Sequence, residues 1–183
     1  MLSVSQIPNC ICVVRILLVL PIVMFLIQGQ WQWALALIFV AGFSDALDGF
    51  LAKQFNWRTR LGGLLDPLAD KLLLVSVFVT LAALGYAPVW LTAVVIGRDL
   101  VIVSGAVAFN LLIGPVRPEP SRISKLNTAF QLLYILFVIS HQGFGWPREI
   151  SITVIGAGVL FTSVVSGIDY VLRWSQRAAV GRV

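Results

Sequence analysis

Six apolar runs, each near the length needed to cross a bilayer, leave this chain little choice of fold. They extend from Ile11 to Ile27, Trp31 to Leu51, Leu61 to Leu84, Val89 to Leu112, Ile123 to Ile139 and Ile150 to Leu172. A spanning helix needs about 20 mostly apolar residues, within a range of roughly 17 to 25. The joints carry residues that stop helices, including Gln28-Gly29-Gln30, Gly85 to Pro88, and the prolines Pro115, Pro118, Pro120 and Pro147. With 183 residues, 59% apolar and 11% charged, the chain could not hide so much hydrocarbon from water, because a domain this small keeps much of its surface exposed. The expected fold is an all-α integral membrane bundle of six transmembrane helices, with residues 1–183 forming one domain. No clear small-residue cleavage site follows the first run, which is read as a span rather than a removable signal.

The charges orient the bundle. Lys53, Arg58 and Arg60 fall in the second joint, Arg117 and Arg122 in the fourth, and Arg173, Arg177 and Arg182 after the last run. The first and third joints carry neither Lys nor Arg, and the fifth only Arg148. The positive-inside rule then puts both termini and the second and fourth joints in the cytoplasm. Trp31, Trp33, Trp90 and Trp146 collect at the opposite ends, where an interfacial aromatic belt belongs. The net charge of +5 does not imply nucleic acid, because the basic residues form short clusters between apolar runs rather than a stripe. Such clusters suit anionic lipid headgroups. Cys10 and Cys12 have no Cys/His partners in a zinc pattern, and His141 is expected in a solvated Gly-rich loop.

Against this apolar background four aspartates stand out. Asp45 and Asp48 are three apart on the second run, and Asp66 and Asp70 four apart on the third, so each pair shares a helix face. The joint between these runs is short, which predicts antiparallel neighbours whose carboxylates converge in the cytoplasmic half of the membrane. Each ionised carboxylate there would cost about 2.5 to 3.5 kcal/mol even on translocon scales. Either the acids are neutralised, by protonation or by Lys53 and Lys71, or they hold divalent cations. An all-oxygen donor set suits Mg²⁺ or Mn²⁺, and magnesium usually shares its coordination with a substrate phosphate. Gly49, Ala52, Gly62 and Gly63 keep bulk away from the acids, either to admit a ligand or to pack helices closely. A transporter, with the aspartates marking an ion path, is the rival reading. No inverted repeat supports it.

The run Asp45-x2-Asp48-Gly49-x2-Ala52-Lys53-x8-Gly62-x3-Asp66-x3-Asp70 resembles the signature of the CDP-alcohol phosphatidyltransferase family. Every spacing matches. Lys53 stands where the family usually has arginine, so a point charge replaces a bidentate fork toward phosphate. The resemblance implies six membrane helices, cytoplasmic termini, a homodimer, and two Mg²⁺ or Mn²⁺ ions in a cavity open to the cytoplasm, here at an inner membrane of bacterial type. Carried over, Asp45, Asp48 and Asp66 hold one ion, and Asp66 with Asp70 the second. Gly49, Lys53 and Thr59 contact CDP-diacylglycerol, and Asp70 is the base that takes the proton of the attacking hydroxyl. The segment Ile7-Pro8-Asn9, followed by Arg15, is similar to an element that precedes the first helix in many members. It implies Asn9 near the nucleotide, while Arg15 closes over it or snorkels to headgroups.

The acceptor is written elsewhere. Arg98, deep in the fourth run, either pairs with an acid such as Asp99 or binds an acceptor phosphate, with Arg122 and Lys125 as further contacts. Arg98 to Ala106 is similar to the corresponding helix of bacterial phosphatidylglycerophosphate synthases, but Ala106 stands where a second arginine is usual. Ile123-Ser124-Lys125-Leu126-Asn127-Thr128-Ala129-Phe130-Gln131 resembles the matching stretch of CDP-diacylglycerol-dependent cardiolipin synthases. Together these favour phosphatidylglycerol over glycerol 3-phosphate as acceptor. Phosphatidylserine or phosphatidylinositol synthesis is a lesser alternative.

Overall fold

The computed structural model describes residues 7–54, 62–112 and 121–180, with side chains over 13–44, 68–105, 107 and 121–173. It contains six helices: α1 (Ile7–Ile27), α2 (Trp31–Gln54), α3 (Gly62–Ala83), α4 (Val89–Leu112), α5 (Arg122–Phe144) and α6 (Glu149–Val180). No strand occurs among the described residues.

Several ends run past the apolar windows, because helix hydrogen bonding does not require an apolar side chain. Ile7-Pro8-Asn9 forms the first turn of α1 rather than an element preceding it, and proline is well suited to a first turn. At the start of α5 the Ser121 hydroxyl accepts from the Ser124 N–H at 3.2 Å, capping the helix. Its far end closes on Gly145, at φ 71°, whose N–H donates to His141 O. His141 thus belongs to the last turn of α5 and not to a solvated loop. Its Nδ1–H donates to the Pro147 carbonyl at 2.7 Å, and its ring is three-quarters buried.

Two glycine turns fold the first four helices at one end of the bundle. Gly29 and Gly85 both have positive φ, and beyond each an N–H reaches back across the turn, Gln30 to Phe25 O and Tyr86 to Leu81 O. The turns meet where the rings of Trp31 and Tyr86 pack edge to face, centroids 4.8 Å apart.

Helix α1 packs against both α2 and α3, α5 against α2 and α6, and α4 against α6. Among the described residues α2 and α3 share no contacts and α1 packs against both; the side chains of Asp45, Asp48 and Asp66, where the short joint predicts the two helices to meet, lie outside the described residues. The core runs from Ile22, Leu26, Ile38, Val77 and Leu81 through the stacked rings of Phe78 and Tyr134 to Val138, Ile139 and Val159. The outer surface is also apolar: Leu17, Leu20, Phe43, Leu100, Phe161 and Leu172 are all more than half exposed. In water such a surface would be an association liability. Arg122–Phe144 and Glu149–Arg173 are long and apolar enough to cross a membrane, and Val13–Ile27 and Trp31–Ser44 are apolar over shorter described stretches.

Candidate active site

Asp70 lies in α3, four residues after Asp66 and one helical turn further into the bundle. Its side chain is 45% exposed and borders a cavity of about 180 Å³ between α1, α2, α3 and α5. The wall opposite is Ile38, Ala41 and Gly42 of α2, and Thr128 and Leu132 of α5 complete it. The small pair Ala41-Gly42 opens the cavity, since a Cβ added at Gly42 would meet nothing within 4 Å. Asp45 follows Ala41 by four residues in α2.

The side chains of Asn9, Asp45, Asp48, Gly49, Lys53 and Asp66, and Thr59 entirely, lie outside the described residues. Among the described residues no group of three or more His, Cys, Asp or Glu side chains comes together. In the described part of the cavity the polar side chains are the Asp70 carboxylate, the Thr128 hydroxyl and the Arg15 guanidinium.

Asp70 receives a partner that sequence reasoning missed. Nη1 of Arg15 donates to Asp70 Oδ1 at 2.8 Å, and the Arg15 side chain is only 1% exposed. Arg15 does not snorkel. A buried guanidinium in an apolar helix is costly without a counter-charge, and that rule, applied to Val13-Val14-Arg15-Ile16-Leu17, was the available signal. Lys71, expected as a neutraliser of the four acids, turns instead to α4, with Nζ 2.6 Å from Asp99 Oδ1.

Arg98 is similarly engaged. Its Nη1 donates to Asp99 Oδ1 at 2.7 Å, and its Nη2 to the hydroxyls of Ser124 in α5 and Ser166 in α6, both at 2.6 Å. The guanidinium also lies 6.0 Å from the Tyr170 ring centroid. Of the two readings left open for Arg98, the pairing with Asp99 is what the geometry contains. The Ile123 to Gln131 stretch is largely spent on helix joints as well. Ser124 accepts from Arg98, and Asn127 Oδ1 accepts from Thr162 and Ser163 of α6 at 2.9 and 2.8 Å. Thr128 alone of this stretch lines the cavity, while Arg122 and Lys125 are exposed.

Residues 5–167 match the CDP-alcohol phosphatidyltransferase family, and the chain belongs to it. Among its relatives the human cardiolipin synthase (CMP-forming) is 32% identical over 180 residues, which cover 90% of this chain and 60% of that protein. The probable phosphatidylglycerophosphate synthase of Mycobacterium tuberculosis (strain ATCC 25618 / H37Rv) is 29% identical over 178 residues, covering 93% of this chain and 82% of the relative. The CDP-diacylglycerol–glycerol-3-phosphate 3-phosphatidyltransferase of Aquifex aeolicus (strain VF5) is 30% identical, covering 92% and 95%. The chain spans about 60% of the length of the human and rat cardiolipin synthases it matches.

Proposed function

We propose that this chain is a single-domain phosphatidyltransferase of anionic phospholipid synthesis, transferring the phosphatidyl group of CDP-diacylglycerol to a hydroxyl of phosphatidylglycerol and releasing CMP. The observation that carries the reading is the Asp70 carboxylate bordering a cavity between α1, α2, α3 and α5, in a member of this family. The lipid acceptor is supported by the human relative and by the Ile123 to Gln131 resemblance. A second reading, with glycerol 3-phosphate as acceptor, draws on the Mycobacterium and Aquifex relatives, which the chain covers over most of their length.

In this mechanism Asp45, Asp48, Asp66 and Asp70 would hold two Mg²⁺ or Mn²⁺ ions, which would supply positive charge to offset that of the pyrophosphate and of the departing CMP. Gly49, Lys53, Thr59 and Asn9 hold the nucleotide end of CDP-diacylglycerol. Asp70 takes the proton of the acceptor hydroxyl, whose oxygen forms a bond to the phosphorus carrying the diacylglycerol as the bond to CMP breaks. No covalent enzyme intermediate is required. The apolar exterior supports membrane-spanning helices; the basic joints support a site facing the cytoplasm, and a homodimer is what the family resemblance implies.

The test is CMP release by purified protein in detergent with CDP-diacylglycerol and Mn²⁺ or Mg²⁺, offering phosphatidylglycerol and glycerol 3-phosphate separately. Release with phosphatidylglycerol alone is expected; release with glycerol 3-phosphate alone selects the second reading. Chelation by EDTA and the substitution Asp70→Asn should each silence turnover, and full activity in EDTA would remove the metals from the reaction.

A further inference from the structure

We infer that Arg15 is a positioning residue for Asp70, a role that rests on the proposed function. Three observations converge on it. Arg15 is the largest of the fully buried side chains, although it sits in the apolar helix α1. Its guanidinium grips Asp70 Oδ1 at 2.8 Å, and both residues line the same cavity. Finally, the burial is one-sided: Arg15 is 1% exposed where Asp70 is 45% exposed.

That asymmetry separates the available roles. A cation meant to receive a substrate phosphate should present its donors to the open side of the cavity. Arg15 instead is 1% exposed and bonded to the carboxylate at 2.8 Å, a charge-assisted contact that fixes the side chain of Asp70, itself 45% exposed. An ionised carboxylate offers about four lone-pair directions, and one bond to arginine leaves capacity for other partners. Holding its plane still decides which of those directions meets an attacking hydroxyl, and misplacement of a base by even 1 Å is costly to turnover. Arginine suits the task because its planar fork is rigid and always charged. It also comes from α1, the helix that packs against both α2 and α3, so the contact ties the register of α1 to the site.

The experiment compares wild type with Arg15→Gln, Arg15→Lys, Asp70→Asn and the Arg15→Gln/Asp70→Asn double variant. In EDTA, thermal unfolding tests the pairing without metal or substrate; the losses of the two single variants should not add in the double variant. With Mn²⁺ and CDP-diacylglycerol, kcat for CMP release should fall about 10- to 100-fold in Arg15→Gln, the range seen when residues supporting a ligand are removed. KM for CDP-diacylglycerol, and the affinity for CDP measured by calorimetry, should stay as in wild type. Arg15→Lys, which keeps the charge without the fork, should recover part of kcat. Should Arg15→Gln fail to fold, Arg15→Lys against wild type carries the comparison, and wild-type kcat in that variant overturns the role. An unchanged kcat in folded Arg15→Gln overturns the inference, as does a raised KM with kcat retained, which would make Arg15 a substrate contact. Absence of CMP release from wild type, with either acceptor, would instead overturn the proposed function and this role with it.

Discussion

Replacing Arg98 by leucine separates a helix-joining arginine from an acceptor-binding one. The side chain is 5% exposed and gives one bond to Asp99 and one each to Ser124 and Ser166, at 2.6 to 2.7 Å. Side-chain hydrogen bonds between membrane helices average about 0.6 kcal/mol, so the two that cross to Ser124 and Ser166 account for about 1 kcal/mol. Breaking a buried ion pair in a soluble protein costs about 3 to 5 kcal/mol, chiefly because the surviving charge is stranded. Here that part of the cost is reduced, since Asp99 keeps Lys71 at 2.6 Å. The expected loss therefore lies between these two figures, at about 2 to 3 kcal/mol. Unfolding in mixed micelles titrated with SDS and followed by circular dichroism measures it. CMP release in the same preparation should keep its KM for the acceptor. The companion Asp99→Asn should cost at least as much, because it leaves the Arg98 charge buried without its carboxylate. An Arg98→Leu variant as stable as wild type, with acceptor KM raised, would refute the reasoning and return Arg98 to the acceptor.

Two other predictions concern the seam of α5 and α6. A Cβ at Gly158 would lie 2.7 and 2.9 Å from ring atoms of Phe130, so Gly158→Ala must displace that ring and should cost about 1 to 3 kcal/mol in the same unfolding assay. Gly97→Ala is the control: nothing lies within 4 Å of its added Cβ, and helix propensity should leave that variant neutral or more stable by up to about 1 kcal/mol. Asn127→Ala strips Thr162 and Ser163 of their shared acceptor at a fully buried position. Thr162 retains a bond to the Gly158 carbonyl at 2.7 Å, so the loss should fall at the low end of about 1 to 3 kcal/mol, and an unchanged midpoint would show that the joint contributes nothing.

Much of this protein is legible along the chain because the information is local. The apolar runs foreshadow the six helices, and Gly29 and Gly85 mark turns by the positive φ that glycine tolerates. Helical spacing alone groups Asp45 with Asp48 and Asp66 with Asp70. The family signature is read from the same spacing. These features needed no tertiary contact.

Which face of each helix turns inward is another matter. In a soluble bundle the apolar stripe answers that question. Here the exposed Leu17, Leu20 and Phe43 are as apolar as the buried Ile22, Leu26 and Ile38, so the sequence carries no such stripe to read. With a lipid-like exterior, helices are joined by packing and by cross-helix polar contacts, whose partners are set by the rotation of each helix about its own axis. The tertiary structure alone therefore decides that Arg15 faces Asp70 rather than the headgroups, and that Lys71 and Arg98 share Asp99. It also decides that α1 packs against both α2 and α3 and that Ser124 and Asn127 serve the joints of α5. Spacing within a helix is fixed by covalent geometry, whereas pairing between helices depends on a rotation that an all-round apolar surface does not encode.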